Sequence, residues 1–347
     1  MFESGITYLF GAGASANTLP VVEKMPESMQ KVIEKISTSE FDLSSHSFSA
    51  DSVPSPETMR QDIIEQLTWL KQESEKHASV DTFAKKLFLM KKEKELDALR
   101  NILSLYLTLV QLDKPYDKRY DTFFASILQD EVDKFPSNIK IMSWNYDYQF
   151  ERAYLEYKEK PGLIEIWNSM QLHDKYHNKQ NFSQFGFEII KLNGTAQVYD
   201  QSRKKFFHYA TKENVNEPDR FIFYTSLDPV SFYQTVYWYT RVKYTSGFTS
   251  TLHFAWERGE SFIQNVRTAL AATNTLVIIG YSFPFFNRLV DRSIIHSLQS
   301  LNKVYFQDLY PEDVMQRFQS IKNQFQPSNN NVILYKDCKQ FLLPGEL

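Results

Sequence analysis

The stretch that most constrains the fold is ITYLFGAGAS, residues 6–15. A run of apolar and β-prone residues leads directly into Gly11, Ala12 and Gly13, and Ser15 follows two residues later. This order predicts a buried strand that ends at a glycine turn, after which a helix begins. Glycine lets the backbone turn tightly and lets a phosphate approach, and a helix N-terminus offers N–H groups to an anion. The stretch therefore indicates a nucleotide site at the edge of an α/β sheet.

The same stretch also fits the ordinary strand–helix turn of any α/β protein. The full dinucleotide-binding fingerprint has a third glycine three residues after the second, and this chain has Ala16 there. A nucleotide site therefore needs support from other parts of the chain.

Composition limits the classes of protein to which the chain can belong. With 347 residues, 28 Phe and 20 Tyr, the chain can bury a large core, and we expect one domain over residues 1–347. The net charge of −3 gives no indication of nucleic acid as a direct partner. The one cysteine, Cys338, excludes a disulfide within the chain and a four-cysteine zinc cluster, and fits a reducing cytoplasm. We expect no signal peptide and no membrane span.

Two long segments interrupt the strand pattern. Residues 26–125 show helical spacing of apolar residues, which predicts a mostly helical insertion. Residues 200–220 are polar and predict loops, and aromatic residues are concentrated over 221–256. We interpret 200–260 as an aromatic-rich covering segment. Its aromatic side chains suit either a core layer or a surface for a partner.

The predicted strands end in glycine or in short polar side chains. These ends are Gly11, Gly13 and Ser15; Asn145 and Asp147; Asn193 and Gly194; Gly280 and Ser282; and Asp308. In an open parallel sheet, ligands bind outside the carboxyl ends of the strands, so we expect these residues to lie at one edge. The fold class that follows is α/β, a Rossmann-like, mostly parallel sheet with helices on both faces and a helical insertion.

These residues suit a dinucleotide chemically. The glycine N–H groups and the Ser15 hydroxyl can hold a diphosphate, and Asp308 can accept from ribose hydroxyls. Asn145 and Asp147 can reach a second ribose or the base.

A family resemblance appears when the motifs are taken in order. The series GAGAS, SWNYD, KLNG, GYS and a strand ending in Asp308 resembles the SIR2-like (sirtuin-related) proteins. It looks most like their zinc-free bacterial branch, whose members consume NAD⁺ as effectors of antiphage defence. The resemblance covers roughly residues 5–25, 138–156, 186–198 and 273–315, and SVDTFAKKL in the helical block is also similar.

The resemblance implies a role for each matching residue. The diphosphate would be held by Gly11, Ala12, Gly13 and Ser15. The nicotinamide ribose and carboxamide would lie beside Asn145 and Asp147. The adenosine side would be held by Gly280, Ser282 and Asp308. Asn193 and Gly194 form the motif that carries the family's general base. Deacetylating sirtuins have a four-cysteine zinc ribbon, which this chain lacks, so the resemblance implies cleavage of the nicotinamide–ribose bond, with no metal. It also implies a triggered enzyme that works as a homo-oligomer or with a sensor protein encoded nearby.

The chain departs from the family at its catalytic base. The family has a histidine before the glycine of the third motif, and this chain has Asn193, whose amide cannot take a proton at neutral pH. An amide can still orient water or a hydroxyl, and Asn-Gly between apolar runs is also a strong hairpin signal. A second departure is Asn287, near where many relatives carry an acid; Asp291 is a candidate substitute.

Three readings of function remain open. The first is an NAD⁺ hydrolase, and the second is a weak or inactive NAD- or ADP-ribose-binding sensor or scaffold. The third is an unrelated Rossmann-type oxidoreductase. The missing third glycine and the SWNYD motif argue against it. We expect His173, His177 and His208 at the surface. The spacing of the first two allows a metal pair but shows no third ligand.

Overall fold

A central sheet and its flanking helices organise the computed structural model. The structure describes residues 5–38, 54–159, 162–173, 186–213, 216, 221–224, 226–244, 247–322 and 331–347. The strands are β1 (Gly5–Phe10), β2 (Ile139–Ser143), β3 (Leu172–His173), β4 (Glu188–Lys191), β5 (Gln197–Asp200), β6 (Lys205–His208), β7 (Thr211–Glu213), β8 (Phe221–Phe223), β9 (Phe248–Ser250), β10 (Thr273–Ile279), β11 (Lys303–Gln307) and β12 (Val332–Tyr335). The helices are α1 (Met25–Ser37), α2 (Pro56–Lys76), α3 (Val80–Leu89), α4 (Glu93–Leu112), α5 (Lys118–Ile127), α6 (Gln149–Leu155), α7 (Leu163–Ser169), α8 (Pro229–Tyr244), α9 (Glu260–Ala269), α10 (Arg288–Ser297) and α11 (Pro311–Ile321).

The seven-stranded sheet is parallel throughout, in the order β12-β11-β10-β1-β2-β4-β3. The predicted α/β, Rossmann-like fold class is therefore confirmed. The inner strands are apolar because they are covered on both faces. Alternate residues of β1 show this: Tyr8 and Phe10 face one core, and Leu9 faces the other.

The two faces are covered by different parts of the chain. Residues of α9, α10 and α11 join the core that contains Leu9. Residues of α1 to α7 join the opposite core, as does Phe341 near the C-terminus. Five helices, α1 to α5, lie between β1 and β2, within the segment predicted as a helical insertion. No helix in the described part of the chain is long and apolar enough to cross a bilayer.

The covering segment differs from the expectation in two ways. Residues 200–220 contain β6 and β7, where loops were predicted, because Lys205–His208 pairs antiparallel with β5 and Thr211–Glu213 with β8. Most aromatic side chains of 221–256 are buried in this chain, among them Phe232, Trp238 and Phe254. These buried aromatic rings belong to the core, as the first interpretation expects, whereas a partner surface within 221–256 stays a prediction.

The Asn193–Gly194 turn does not form a hairpin. β4 pairs with β2 and β3, whereas β5 pairs with β6 and β9 in a separate antiparallel sheet. The turn instead carries the chain out of the central sheet. The hairpin lies one connection later, between β5 and β6, where the Asp200 carboxylate accepts from the N–H groups of Ser202 and Arg203.

Candidate functional site at the carboxyl edge of the sheet

The strand order reverses beside β1. From β1 the chain proceeds through the insertion to its neighbour β2, whereas from β10, on the other side of β1, it proceeds outward to β11 and β12. The register aligns the carboxyl ends of these strands, because Phe10 is level with Ile279 and with Ser143. In open α/β sheets the crevice at such a reversal is where ligands bind.

The β1 and β10 loops are joined by a contact that we call the glycine seam, made by Gly11, Gly13 and Gly280. The N–H of Gly11 donates to the carbonyl of Ile279 at 3.0 Å, and that of Gly13 to the carbonyl of Gly280 at 2.9 Å. A Cβ on Gly11 would lie 2.5 Å from the Gly280 oxygen, and one on Gly280 would lie 2.4 Å from the Ala14 nitrogen. The φ of Gly280 is +59°, in the left-handed region that favours glycine.

The glycine seam changes the expected role of the first motif. The N–H groups of Gly11 and Gly13 are bonded to the β10 loop and are not available to a phosphate in this structure. The turn also opens only a four-residue 3₁₀ helix, Ala12–Ser15, and the first α-helix starts at Met25. The expected α-helical N-terminus is therefore absent here. Ala12 is exposed and Gly13 partly exposed, so this part of the loop is accessible at the carboxyl edge of the sheet.

Three predicted site residues form a hydrogen-bonded group with Tyr120, which we call the polar cluster. The Ser15 hydroxyl donates to Asp147 Oδ2 at 2.7 Å and accepts from Asn145 Nδ2 at 3.2 Å. Tyr120 lies 2.8 Å from the same hydroxyl oxygen and acts as a donor, because the Ser15 hydrogen goes to Asp147. Burial and the Asp147 carboxylate raise the pKa of Tyr120 well above its usual value, so it stays protonated.

A fully buried ion pair lies beneath the polar cluster. Lys191, at the end of β4, donates to the Asp147 backbone carbonyl at 2.7 Å and lies 3.4 Å from Glu151 Oε2. Burial raises the pKa of Glu151, and Lys191 opposes that rise. Neither Lys191 nor Tyr120 is among the site residues predicted from the sequence. A lysine in the apolar run EIIKL was an available signal, whereas nothing near Tyr120 in sequence distinguishes it.

The third motif lies beside the polar cluster, with one free acceptor. Asn193 is buried, and its Nδ2 donates to the carbonyl of Trp144 at 3.1 Å. Its Oδ1 has no hydrogen-bond partner among the described residues. Gly194 has a φ of +71°, and a Cβ there would lie 2.4 Å from the Thr251 carbonyl oxygen. The turn therefore needs glycine and fixes Asn193 against the β2 loop.

The GYS loop contributes a second buried polar group. The Tyr281 hydroxyl donates to the Asp291 carboxyl at 2.8 Å and accepts from Asn287 Nδ2 at 3.1 Å. Burial raises the pKa of Asp291 to about 8, although the hydrogen bond from Tyr281 opposes the rise. The two residues that the sequence marks as a departure from the family, Asn287 and Asp291, thus bind the same tyrosine. The Tyr281 ring stacks on Trp144, with centroids 5.9 Å apart.

Ser282 and Asp308 lie at the same edge but outside the polar cluster. The Ser282 side chain is exposed, and its carbonyl accepts from Arg317 at 2.9 Å. Asp308 is partly exposed and accepts from the N–H of Tyr310 at 3.0 Å. The ends of β11 and β4 are four strand spacings apart, or about 19 Å. A ligand that reached both Asp308 and Asn193 would have to be elongated.

Helix α3 brings a carboxylate that the sequence analysis did not select. Ser79 caps this helix by accepting from the N–H of Thr82 at 3.1 Å. Asp81, in the first turn, accepts a hydrogen bond from the Tyr146 hydroxyl, and both residues are partly exposed. The signal that could have found Asp81 is its place in SVDTFAKKL, a stretch that resembles the family and in which the sequence predicts Asp81 or Ser79 as a helix cap.

Other parts of the structure give less evidence of a functional site. A hollow of about 420 Å³, lined by Lys158 and Asn168 among others, contains none of the predicted site residues. No cluster of three metal-ligating side chains occurs within the described ranges. His173 is buried 3.5 Å from Glu188, and His208 is buried too, so the expected surface positions of these two histidines are wrong. His177 lies outside the described residues.

Comparison with protein-family models, and separately with curated protein sequences, finds no match for this chain.

Proposed function

We propose that the chain is an NAD⁺ hydrolase that releases nicotinamide and ADP-ribose. The observation that carries the proposal is that Ser15, Asn145 and Asp147, far apart in sequence, are hydrogen-bonded at the carboxyl edge of the sheet, and that Asn193 bonds to the residue before Asn145. This is where an open α/β sheet binds nucleotides. The resemblance to zinc-free SIR2-like proteins supports the same activity, and extends the proposal to a triggered NAD⁺-depleting effector of bacterial antiphage defence.

In this proposal NAD⁺ lies across the ends of the central strands. Its diphosphate lies over the exposed surface of Ala12 and Gly13. The nicotinamide ribose lies toward Asn145 and the adenosine toward Ser282 and Asp308. Ser15 acts through the polar cluster, because its hydroxyl is already shared with Asp147 and Asn145. The exposed side chains on the adenosine side leave room for the larger end of the ligand.

The side chains suit the chemistry of nicotinamide loss. The transition state carries positive charge on the ribose, and a fixed carboxylate and oriented dipoles stabilise such charge without reorganising. Asp147 is held by Ser15 and by the N–H of Gln149, the latter at 3.2 Å from its Oδ1. The unpartnered Oδ1 of Asn193 is an acceptor that can take a hydrogen bond from a ribose hydroxyl or from water.

A second candidate function is an NAD- or ADP-ribose-binding protein with little or no activity, acting as a sensor or scaffold. The observation that favours it is Asn193 itself. Its amide donates to the Trp144 carbonyl and offers one acceptor oxygen, but cannot take a proton at neutral pH. Such an amide can bind a ligand without catalysing a reaction of it.

Measuring nicotinamide release separates these candidates. The purified protein, alone and mixed with the products of neighbouring genes, is incubated with NAD⁺, and we expect nicotinamide to appear in at least one mixture. Asn145→Ala should lower the rate by about a hundredfold or more, because it removes a donor fixed beside the crevice. The control is Asn302→Ala, the same change at an exposed residue just before β11 at the opposite edge.

Each other outcome has a clear meaning. No nicotinamide in any mixture, together with NAD⁺ binding by calorimetry, would replace the hydrolase with the binding protein. A change in absorbance that reports hydride transfer would favour the oxidoreductase. Homo-oligomers or a complex with a nearby sensor protein are part of the proposed trigger, and light scattering of the active mixture tests them.

A further inference from the structure

Hydrolysis of NAD⁺ at this crevice needs a group that takes a proton from water, and Asn193 cannot do so. We infer that Asp81, supplied by helix α3 of the insertion, is the general base for this water. The inference rests on the proposed NAD⁺ hydrolase activity and adds a catalytic residue to it.

Contacts on both sides place Asp81 above the end of β1. Its carboxylate accepts from the hydroxyl of Tyr146, which follows Asn145 in the β2 loop. On the other side, α3 packs against the 3₁₀ helix Phe285–Asn287 that follows the GYS loop. Because β1 lies between β2 and β10, a carboxylate held between these two loops lies over the crevice. The residue Asp81 is partly exposed at the start of α3, although its carboxylate is enclosed enough for burial to raise its pKa, whereas Asp147 is buried as a whole residue.

The surroundings of Asp81 make it more basic than an exposed aspartate. Burial raises the pKa of Asp81, and the hydrogen bond from Tyr146 opposes part of this rise. A base whose pKa moves toward neutrality is better matched to its task. Burial and the Asp81 charge together raise the pKa of Tyr146 well above its usual value, so Tyr146 remains a donor.

Charged and titratable groups of two neighbouring segments interact with Asp81 or with its hydrogen-bond partner Tyr146. From the GYS loop, Tyr281 has its pKa raised by burial, by Asp291 and more weakly by Asp81. From the segment before α9, Glu257 acts on Tyr146, and this glutamate is paired with Arg100 of α4. The paired Glu257 therefore adds little net charge near Asp81.

The proposed step balances in atoms and charge. The water oxygen forms a bond to C1′ of the ribose as the C1′–N bond to nicotinamide breaks. The electron pair of the broken bond stays on the pyridine nitrogen, which leaves as neutral nicotinamide without needing a proton. The proton released by the water goes to the Asp81 carboxylate, and is then released to solvent.

The test is the pH dependence of nicotinamide release by the full chain in its active mixture. Asp81→Asn should lower kcat by about a hundredfold or more, leave NAD⁺ binding unchanged, and abolish the fall in rate at acid pH. Tyr146→Phe removes the bond that lowers the pKa of Asp81, so the acid limb should move to higher pH. The matched control is Asp313→Asn, an exposed aspartate in the first turn of α11.

Three results would overturn the inference. If the unmodified protein releases nicotinamide and Asp81→Asn does so equally fast with the same pH profile, Asp81 is not the base, although the hydrolase stands. If Asp81→Asn loses NAD⁺ binding along with activity, or if Tyr146→Phe leaves the acid limb in place, Asp81 has a structural role. If the unmodified protein releases none, the hydrolase and the inference fail together.

Discussion

The β1 loop contacts its two neighbours by different means. Toward β10 it is joined through the glycine seam, backbone against backbone, with Gly280 in a left-handed conformation. Toward β2 it is joined through the side chains of the polar cluster, in which the Ser15 hydroxyl has three partners. A backbone contact of the first kind leaves no space for a ligand between the two loops. Hydrogen bonds between side chains can be exchanged for bonds to a ligand, so we expect the reactive end of the site on the β2 side.

The largest effect should come from the glycine seam. Gly280→Ala adds a Cβ 2.4 Å from the Ala14 nitrogen at a residue with positive φ, so both strain and overlap oppose folding. We expect a loss of about 3 kcal/mol or more in the free energy of unfolding, measured with urea. Gly247→Ala is the control, since φ there is +98° but no atom of the described residues lies within 4 Å of the added Cβ. It should lose about 1 kcal/mol. Equal losses in both variants would show that close contact at the glycine seam does not affect stability.

The second prediction compares the stability effects of changing Ser15 and Ser282, the two serines predicted as site residues. Ser15→Ala leaves the Asp147 carboxylate, Tyr120 and Asn145 each short of a buried partner. We expect a loss of about 2 kcal/mol in the free energy of unfolding. Ser282→Ala changes an exposed side chain and should stay within about 0.5 kcal/mol. If urea unfolding ranked the two variants in the opposite order, the β2 side would not be the hydrogen-bonded one.

The smallest effect, taken per pH unit, tests the buried acid on the β10 side. The pKa of Asp291 is about 8 in the folded protein against 3.8 in the unfolded chain, so the folded state holds a proton that the unfolded state releases. Stability should therefore fall as pH rises between these two values, and level off above about pH 8. Asp291→Asn should remove this slope, gaining about 1.4 kcal/mol per pH unit relative to the unmodified protein within that window.

Melting temperatures at several pH values measure the Asp291 effect. Asp130→Asn is the control, because Asp130 is exposed beside Lys134 at the surface. If both variants kept the same slope as the unmodified protein, Asp291 would be ionised in the folded state.

The sequence was enough for the other strands of the central sheet but not for the short strand β3, and it indicated the edge of the candidate site. Apolar runs such as TLVII and ITYLF are typical of parallel strands buried on both faces, and the short polar residues after them marked the carboxyl ends. The strand β6 was missed because KFFH carries polar residues at both ends, and its strand character depends on pairing with β5.

The details of the site depended on partners distant in the chain. Whether Gly13 offers its N–H to a ligand depends on the carbonyl of Gly280, and the use of the Ser15 hydroxyl depends on Tyr120 and Asp147. Asn193–Gly194 has the composition of a hairpin turn, but the backbone of Thr251 requires the glycine for close approach. Such contacts become visible only once the strands are ordered in space.

The central position of β1 has a consequence for the order in which the protein is made. The strand is synthesised first, yet it is completed by β10, and the Thr7–Thr273 hydrogen bond joins residues 266 positions apart. At ordinary rates of translation, the ribosome needs on the order of tens of seconds to add that many residues. Until then the nascent chain exposes one side of a strand that is buried in the folded protein, so chaperone binding is expected at this stage. The carboxyl edge around β1 is complete only after most of the chain has left the ribosome.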